Sequence, residues 1–586
     1  MASRAEWGSD VVVEMMKQYG IEYAPANLGA TYRGLLDSII NFGENKTPEI
    51  IECLHEEIAV GVAMGYGRAT GKPAVALVHN VVGTLHAAMA IYNAYVDRIP
   101  VIVMSGTGPM SLKGRRPWID WVHTALIQGN LVRDYVKWDD QPHDPESVPE
   151  SFIRAYRVAM TEPKGPVYIT LDAGWQEAKL SEPVTIPDIS KYAVPTGVQG
   201  DPAFLRRTAE LLANAESPLI IADHVGRNPE AVHHLVQLAE AGSIPVIDSG
   251  GSLNIPSTHP LDVTGSDAIT RSDVIVLLDV EKLEQTFTIS NRYNRQKEIC
   301  IKPDAKIVNI GLFDQWIKSA TLDFDRVWPV EFTIAADTNL AIPQLTQELQ
   351  EIFARNPDRK KVADERYAQA KEFHDAVRRR AKDQLEKDAN REDISLAKLS
   401  HEVWNCVKGE HWIVTGDIGS WMRNLWELDK PGCLMGGQKA AGLGTALSRS
   451  IGAALAVKKA GGFCVAFIGD GESLYVPSSI WTAVHHHIPL LVFLLDNGGY
   501  VGEGAHVTWT SEHRQRSTAN KHIATEIQNP RVDFASLARA QGAYAEGPVE
   551  NPSDLGPAIQ RAFQVMKKES TLALVDVRLR GREQQW

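Results

Sequence analysis

The chain has 586 residues, 44% hydrophobic and 23% charged, and its 60 basic and 73 acidic side chains leave a formal net charge of −13. That balance excludes a fibrous or low-complexity chain, and the acidic excess offers no general field for phosphate backbones, so nucleic acid is not expected as a partner. Five scattered cysteines without CxxC spacing, no signal-peptide core at the N-terminus and no apolar run longer than 488–495 point to a cytoplasmic protein with neither a disulfide framework nor a membrane span.

At roughly 150 residues per domain the length predicts three or four domains. In the first segment, residues 1–185, a helix pattern is followed by a short strand at 20–24. Further strands are expected at 74–78, 100–104 and 166–171, with a helix at 85–96. The second segment, 195–350, repeats the pattern with strands at 218–222, 245–248, 273–278 and 306–310. A charged stretch at 351–395 reads as a solvated helical connector. The third segment, 396–586, has strands at 412–415, 463–468, 489–495 and 572–577. Strands alternating with helices predict an α/β fold of three doubly wound parallel-sheet domains.

The strongest chemical signal lies in the third segment. Gly469-Asp470-Gly471 follows one predicted strand, and Asp496-Asn497-Gly498-Gly499-Tyr500 follows the next. Both Asp470 and Asn497 therefore stand just past the carboxyl ends of buried parallel strands, where doubly wound sheets bind ligands. One carboxylate and one amide oxygen form a hard donor pair suited to Mg²⁺, and the glycines let a diphosphate approach the backbone.

This arrangement resembles the diphosphate-binding motif of thiamine-diphosphate (ThDP) enzymes. Two further stretches are similar to that family: Gly442-Leu443-Gly444-Thr445-Ala446-Leu447 with Ile451-Gly452-Ala453-Ala454, and His55-Glu56-Glu57 with the run from Gly65 to Pro73. The resemblance covers nearly the whole chain, in the domain order of acetolactate synthase and benzoylformate decarboxylase: pyrimidine-binding, central and diphosphate-binding. It implies that ThDP and Mg²⁺ are the cofactors. Glu56 matches the glutamate that bonds the aminopyrimidine ring; Glu57 competes by position, and the register from Gly65 favours Glu56. Leu443 matches the apolar prop beneath the cofactor. Asp470, Asn497 and the Gly499 carbonyl match the metal ligands, while Ser420, Trp421, Gly471, Ser473 and Tyr500 fall where the family contacts the cofactor.

Two departures stand out. Glu472 follows the Gly-Asp-Gly motif where a small residue is usual, and would repel a diphosphate unless it points away, leaving Ser473 the contact. Ser448-Arg449-Ser450 replaces an apolar run, with Arg449 reaching either a phosphate or solvent.

On the substrate side, His79 ends a first-segment strand and resembles the acid–base histidine of benzoylformate decarboxylase. Asn27 and Ala30 lie on a loop that faces the cofactor in the family. Glu503, six residues past Asn497, matches a proton carrier of 2-hydroxyacyl-CoA lyases, with an exposed surface glutamate as the equal alternative. The consecutive His485, His486 and His487 do not share a helix face and read as structural. No glycine-rich G-M-x-G stretch follows Pro260, which argues against FAD and against a true acetolactate synthase; Thr107, standing where acetolactate synthases carry Gln, is a further departure from that enzyme.

The reading is a lyase or transferase that breaks or joins a C–C bond beside a carbonyl, of the 2-oxo acid decarboxylase or carboligase type. The 2-hydroxyacyl-CoA lyases and acetolactate synthases are its alternatives. A catalytically silent ThDP-binding paralogue is the reading from another class, and intact Glu56, Asp470 and Asn497 argue against it. The expected substrate is a 2-oxo acid, an acyloin or a 2-hydroxyacyl-CoA. The resemblance implies a homodimer or homotetramer with active sites shared between subunits.

Overall fold

The aliphatic runs become the buried strands of three parallel sheets in the structure, a computed structural model that describes residues 4–315, 326–416 and 418–579. Residues 316–325 of the second segment, Asp417 and the last residues of the third segment, 580–586, lie outside the described residues, as do residues 1–3.

In the first sheet the strands run in spatial order Glu49–Glu52, Tyr23–Asn27, Val75–Val78, Ile102–Thr107, Val167–Asp172, Asp139–Asp140. The second runs Phe332–Ala335, Lys306–Gly311, Val274–Leu278, Pro218–Ala222, Val246–Asp248. The third runs Trp412–Thr415, Phe463–Gly469, Leu490–Asp496, Leu572–Arg578, Tyr544–Val549. Every neighbouring pair in these sheets is parallel. Central strands such as Val274–Leu278 are buried along their whole length because helices cover both faces, so they read as continuous apolar runs.

Four strands escape the sequence pattern: Glu49–Glu52, Asp139–Asp140, Phe332–Ala335 and Tyr544–Val549. All four lie at sheet edges, where one flank is unpaired and a short or polar sequence suffices. An antiparallel pair, Thr288–Ser290 with Lys297–Ile299, is likewise too polar and short to stand out.

The charged connector is a helix, Pro357–Asp388, that buries only Ala363, Ala370, His374 and Ala381. It is also a strap. Arg366 donates to the carbonyls of Ala215 and Gly242, and Arg378 to those of Ser257 and Trp426, tying it to the second and third sheets.

The first and third domains meet through two helices, Glu56–Thr70 and Ala446–Lys458. Gly65 and Gly452 let the backbones touch; a side chain at either would overlap the opposing main chain. Arg449 is buried in this junction with its guanidinium on the Gly436 carbonyl, so it faces neither solvent nor the Asp470 turn. Beside it, the Lys439 ammonium sits among Asp223, His224 and Glu281, and Arg98 bonds Glu281, so that charges from all three domains neutralise one another. His486 accepts from the Glu52 amide at 2.6 Å and Trp481 stacks on His485, which gives that histidine run a structural role.

Candidate functional site

The strands Phe463–Gly469 and Leu490–Asp496 are paired in register, Gly469 opposite Leu495, so their carboxyl ends open side by side. Asp470 joins the two ends. Its Oδ1 accepts from the Gly471 amide and its Oδ2 from the Gly499 amide, each at 2.8 Å. The side chain is buried, and burial raises its pKa above the usual carboxylate range, opposed by those amides and reinforced by Asp496. Asp496 is itself neutralised by Arg531 at 2.6 Å and Arg578 at 3.3 Å. The charge at Asp470 is thus the one a cation would offset, and the oxygen donors of Asp470, Asn497 and the Gly499 carbonyl form a set that fits Mg²⁺. The Tyr500 ring packs against Gly471, and Ser473 Oγ donates to the Asp470 carbonyl at 2.8 Å.

Glu472 points away from this turn. Its Oε1 accepts from the amides of Gly444 and Ala446, each at 2.9 Å, and so caps the helix Ala446–Lys458. The conflict with a diphosphate is thereby removed. The turn carrying Leu443, whose side chain is partly exposed, is also held from the first domain. Asn93 Nδ2 donates to the Gly442 carbonyl at 3.1 Å and to Thr445 Oγ1 at 3.0 Å. Gly444 has φ +114°, and a Cβ there would stand 2.5 Å from Glu57 Oε1.

Glu56 and Glu57 open the helix Glu56–Thr70, about 100° apart around its axis. Glu57 faces Gly444 and Glu472 of the same chain; burial first, and then Glu472, push its carboxyl up to about 7. Glu56 is buried facing the first domain's own crevice, with Oε2 3.1 Å from His86 Nδ1. His79 lies in that crevice, with Nδ1 3.1 Å from Thr31 Oγ1. Gly29 is a requirement of its seat, because a Cβ there would overlap the imidazole. The His123 ring lies edge-on to it, with centroids 5.6 Å apart. Burial, and then His123, lower the His79 pKa, so the ring is neutral near pH 7.

Asn27 ends the strand Tyr23–Asn27 and Ala30 begins the next turn, its carbonyl accepting from Arg116 at 3.1 Å; both flank the His79 seat. Glu503 stands exposed in the first turn of the helix Val501–His513, which buries none of its residues. Ser420 and Trp421 open the helix Ser420–Leu425, and Ser420 fronts a cavity of about 550 Å³ shared with Asp248, Ser249 and Gly250. The residues thus gather in two clusters. Asp470, Gly471, Ser473, Asn497, Gly499 and Tyr500 form one; Asn27, Ala30, Glu56 and His79 form the other. Asn93, His86 and His123 were not foreseen. The last two lie in the helices Val81–Val96 and Asp120–His123, with no motif around them to mark them.

Three family models match: thiamine pyrophosphate enzyme, N-terminal TPP binding domain, at residues 6–131; the central domain at 205–344; and the C-terminal TPP binding domain at 414–577. The chain is 24% identical to the acetolactate synthase large subunit of Haemophilus influenzae, covering 97% of this chain and 94% of that protein. It is 23% identical to benzoylformate decarboxylase of Pseudomonas aeruginosa, over 84% and 85% of the two chains. Among solved structures, benzoylformate decarboxylase from Polynucleobacter necessarius superimposes with a TM-score of 0.74 at 18% identity, covering 99% of both chains. No helix among the described residues is long and apolar enough to cross a membrane.

Proposed function

We propose, from the premise that this chain belongs to the thiamine pyrophosphate enzyme family, that it is a ThDP- and Mg²⁺-dependent lyase or carboligase acting on a C–C bond beside a carbonyl. The observation that carries the reading is the Asp470 carboxylate bonded across to the Gly499 amide, which unites the two halves of the motif at adjacent strand ends. When bound, thiamine diphosphate supplies a nucleophilic carbon and takes up the electron pair of the broken bond.

The chain's residues then divide the remaining work. Asp470, Asn497 and the Gly499 carbonyl would hold Mg²⁺, with Gly471, Ser473, Tyr500, Ser420 and Trp421 fronting the diphosphate. Leu443 would prop the cofactor between its rings. Glu56, shielded from water, would hold a proton at the pyrimidine nitrogen. His79, neutral because it is buried, would pass a proton to or from the substrate, and Asn27 and Ala30 would flank the substrate. Glu503 is the second proton carrier of this reading.

The assembly belongs to the same proposal: a homodimer or homotetramer with shared sites, in the cytoplasm. Glu57 faces its own chain's Gly444 turn while Glu56 looks away from it, so Glu56 is free to meet a cofactor held by another chain's third domain. The exposed Leu112, Trp118, Trp121 and Leu126, on the segment that carries His123, supply apolar surface for that partner. Acetolactate synthesis is the second reading, favoured by the full-length likeness to the Haemophilus influenzae protein. The 2-hydroxyacyl-CoA lyase alternative, supported by Glu503 and by the short stretch after Pro260 in the central domain, ranks below both, because Glu503 stands exposed on a helix that buries none of its residues.

The test is to supply ThDP and Mg²⁺ and follow aldehyde, acyloin or acetolactate formation from a panel of 2-oxo acids, with acyloins and 2-hydroxyacyl-CoA esters as cleavage substrates. Turnover that Asp470→Ala abolishes supports the reading. No turnover on any substrate by a chain shown to bind both cofactors would overturn it in favour of a catalytically silent paralogue.

A further inference from the structure

The first-domain crevice contains a donor set that the reading above does not use as one. His55, Glu56 and His86 each offer a ligand atom, and these atoms lie within 4.8 Å of one another. His86 Nδ1 is 3.1 Å from Glu56 Oε2, and the rings of His55 and His86 stack at 23° with centroids 4.9 Å apart. We propose that these three residues form a second metal site, for a borderline divalent cation such as Zn²⁺, distinct from the oxygen-only cluster at Asp470.

The donor chemistry selects the ion. Two imidazoles and a carboxylate are the ligands of an open tetrahedral zinc site whose fourth position belongs to water, whereas Mg²⁺ takes oxygen. The geometry allows closure. Glu56 is fixed and buried at the start of its helix, His55 is half-buried and caps that helix by accepting from the Glu57 amide, and the His86 side chain is 57% exposed. With the donor atoms within 4.8 Å of one another and His86 Nδ1 already 3.1 Å from Glu56 Oε2, side-chain rotation alone brings the set to the roughly 2 Å metal–ligand distances that zinc adopts. Its exposed edge is also the access path for the ion.

The comparison within the molecule is instructive. Asp223, His224 and Glu281 are equally close together, but the Lys439 ammonium already lies among them and Arg98 bonds Glu281. That cluster is neutralised by side chains, and the His55–Glu56–His86 cluster has no Lys or Arg bonded to it among the described residues. The consequence rests on the proposed role of Glu56 at the cofactor ring: a metal held by Glu56 and ThDP then exclude one another, and zinc hinders assembly of the holoenzyme.

The test starts with the full chain freed of cofactor, in excess Mg²⁺. Calorimetric titration with Zn²⁺ is expected to show one site per chain, with affinity falling at least about tenfold in His86→Asn and in His55→Gln and unchanged in Asp470→Ala. His86→Asn keeps a polar side chain on an exposed helix face, so its fold is secure. Co²⁺ in place of Zn²⁺ is expected to give the visible bands of nitrogen and oxygen ligation, without the thiolate absorption that any of the five cysteines would add. No zinc binding by the wild-type chain, wild-type affinity retained in the histidine variants, or thiolate absorption would each overturn the proposal. In a second arm, ThDP is titrated with and without Zn²⁺. Weaker ThDP binding that His86→Asn restores supports both the metal site and the Glu56 role. Zinc binding lost in the histidine variants, with ThDP binding unmoved by zinc, supports the metal site and removes Glu56 from the cofactor.

Discussion

Replacing Glu57 by Gln should stabilise the protein near neutrality, and by an amount that depends on pH. Glu57 is 9% exposed, faces Glu472, and among the described residues its Oε1 accepts no hydrogen bond. Burial and the neighbouring carboxylate push its carboxyl from 4.5 up to about 7. A carboxyl raised in the folded state costs nothing at low pH, where both the folded and unfolded chains hold the proton. As pH climbs from 4.5 towards about 7 the unfolded chain ionises first, and folding stability is lost progressively until the folded carboxyl ionises too. At about 1.36 kcal/mol per pH unit, the interval from 4.5 to about 7 amounts to roughly 3 kcal/mol. The amide removes that titration and can donate to Glu472. Urea titrations of the cofactor-free wild type and Glu57→Gln should therefore converge at acid pH and diverge by roughly 3 kcal/mol above neutrality, the variant being the more stable. A difference that stays constant across the range, or one favouring the wild type at high pH, would refute the environment assigned to Glu57.

Gly29→Ala should displace the His79 imidazole and lower kcat by about 10²-fold while ThDP affinity, read by calorimetry, stays unchanged; full activity in the variant would remove His79 from the proton path. Glu56→Gln should keep ThDP bound yet slow hydrogen–deuterium exchange at C2 of the bound cofactor by about 10²-fold, and an unchanged exchange rate would sink the assignment. Mixing inactive Glu56→Gln chains with inactive Asp470→Ala chains should restore activity, because a mixed dimer with shared sites carries one site with both lesions and one with neither. No recovery despite verified mixed dimers would mean that each chain completes its own site.

The sheets were legible wherever both faces of a strand are covered. Runs such as Phe463–Gly469 and Leu490–Asp496 have no other use for so many aliphatic side chains, and parallel pairing of the two places Asp470 and Asn497 together. Of the edge strands, Val246–Asp248 and Trp412–Thr415 were legible and four were not, since a run such as the Glu-Ile-Ile-Glu of Glu49–Glu52 carries too little pattern to distinguish it from a loop. The site divides in the same way. Residues at strand ends follow from topology, but the direction of a side chain follows from what packs beside it. Glu472 was expected to trouble a diphosphate; its partners are the amides of Gly444 and Ala446, on a turn distant in sequence. Arg449, open between a phosphate and solvent on sequence grounds, is buried because the two glycine-lined helices close over it. His86 and His123 sit outside any motif, and only the folded crevice brings them to Glu56 and His79.

The proposal that Asp470 and Asn497 anchor one Mg²⁺–ThDP unit is tested most directly by calorimetric titration of ThDP into the wild-type chain and Asp470→Ala, each with and without Mg²⁺. The wild type should bind one ThDP per chain only when Mg²⁺ is present. The variant should lose both cofactors together while far-ultraviolet circular dichroism shows the fold intact. Wild-type ThDP affinity in Asp470→Ala, or tight ThDP binding by the wild type without any divalent cation, would contradict the account.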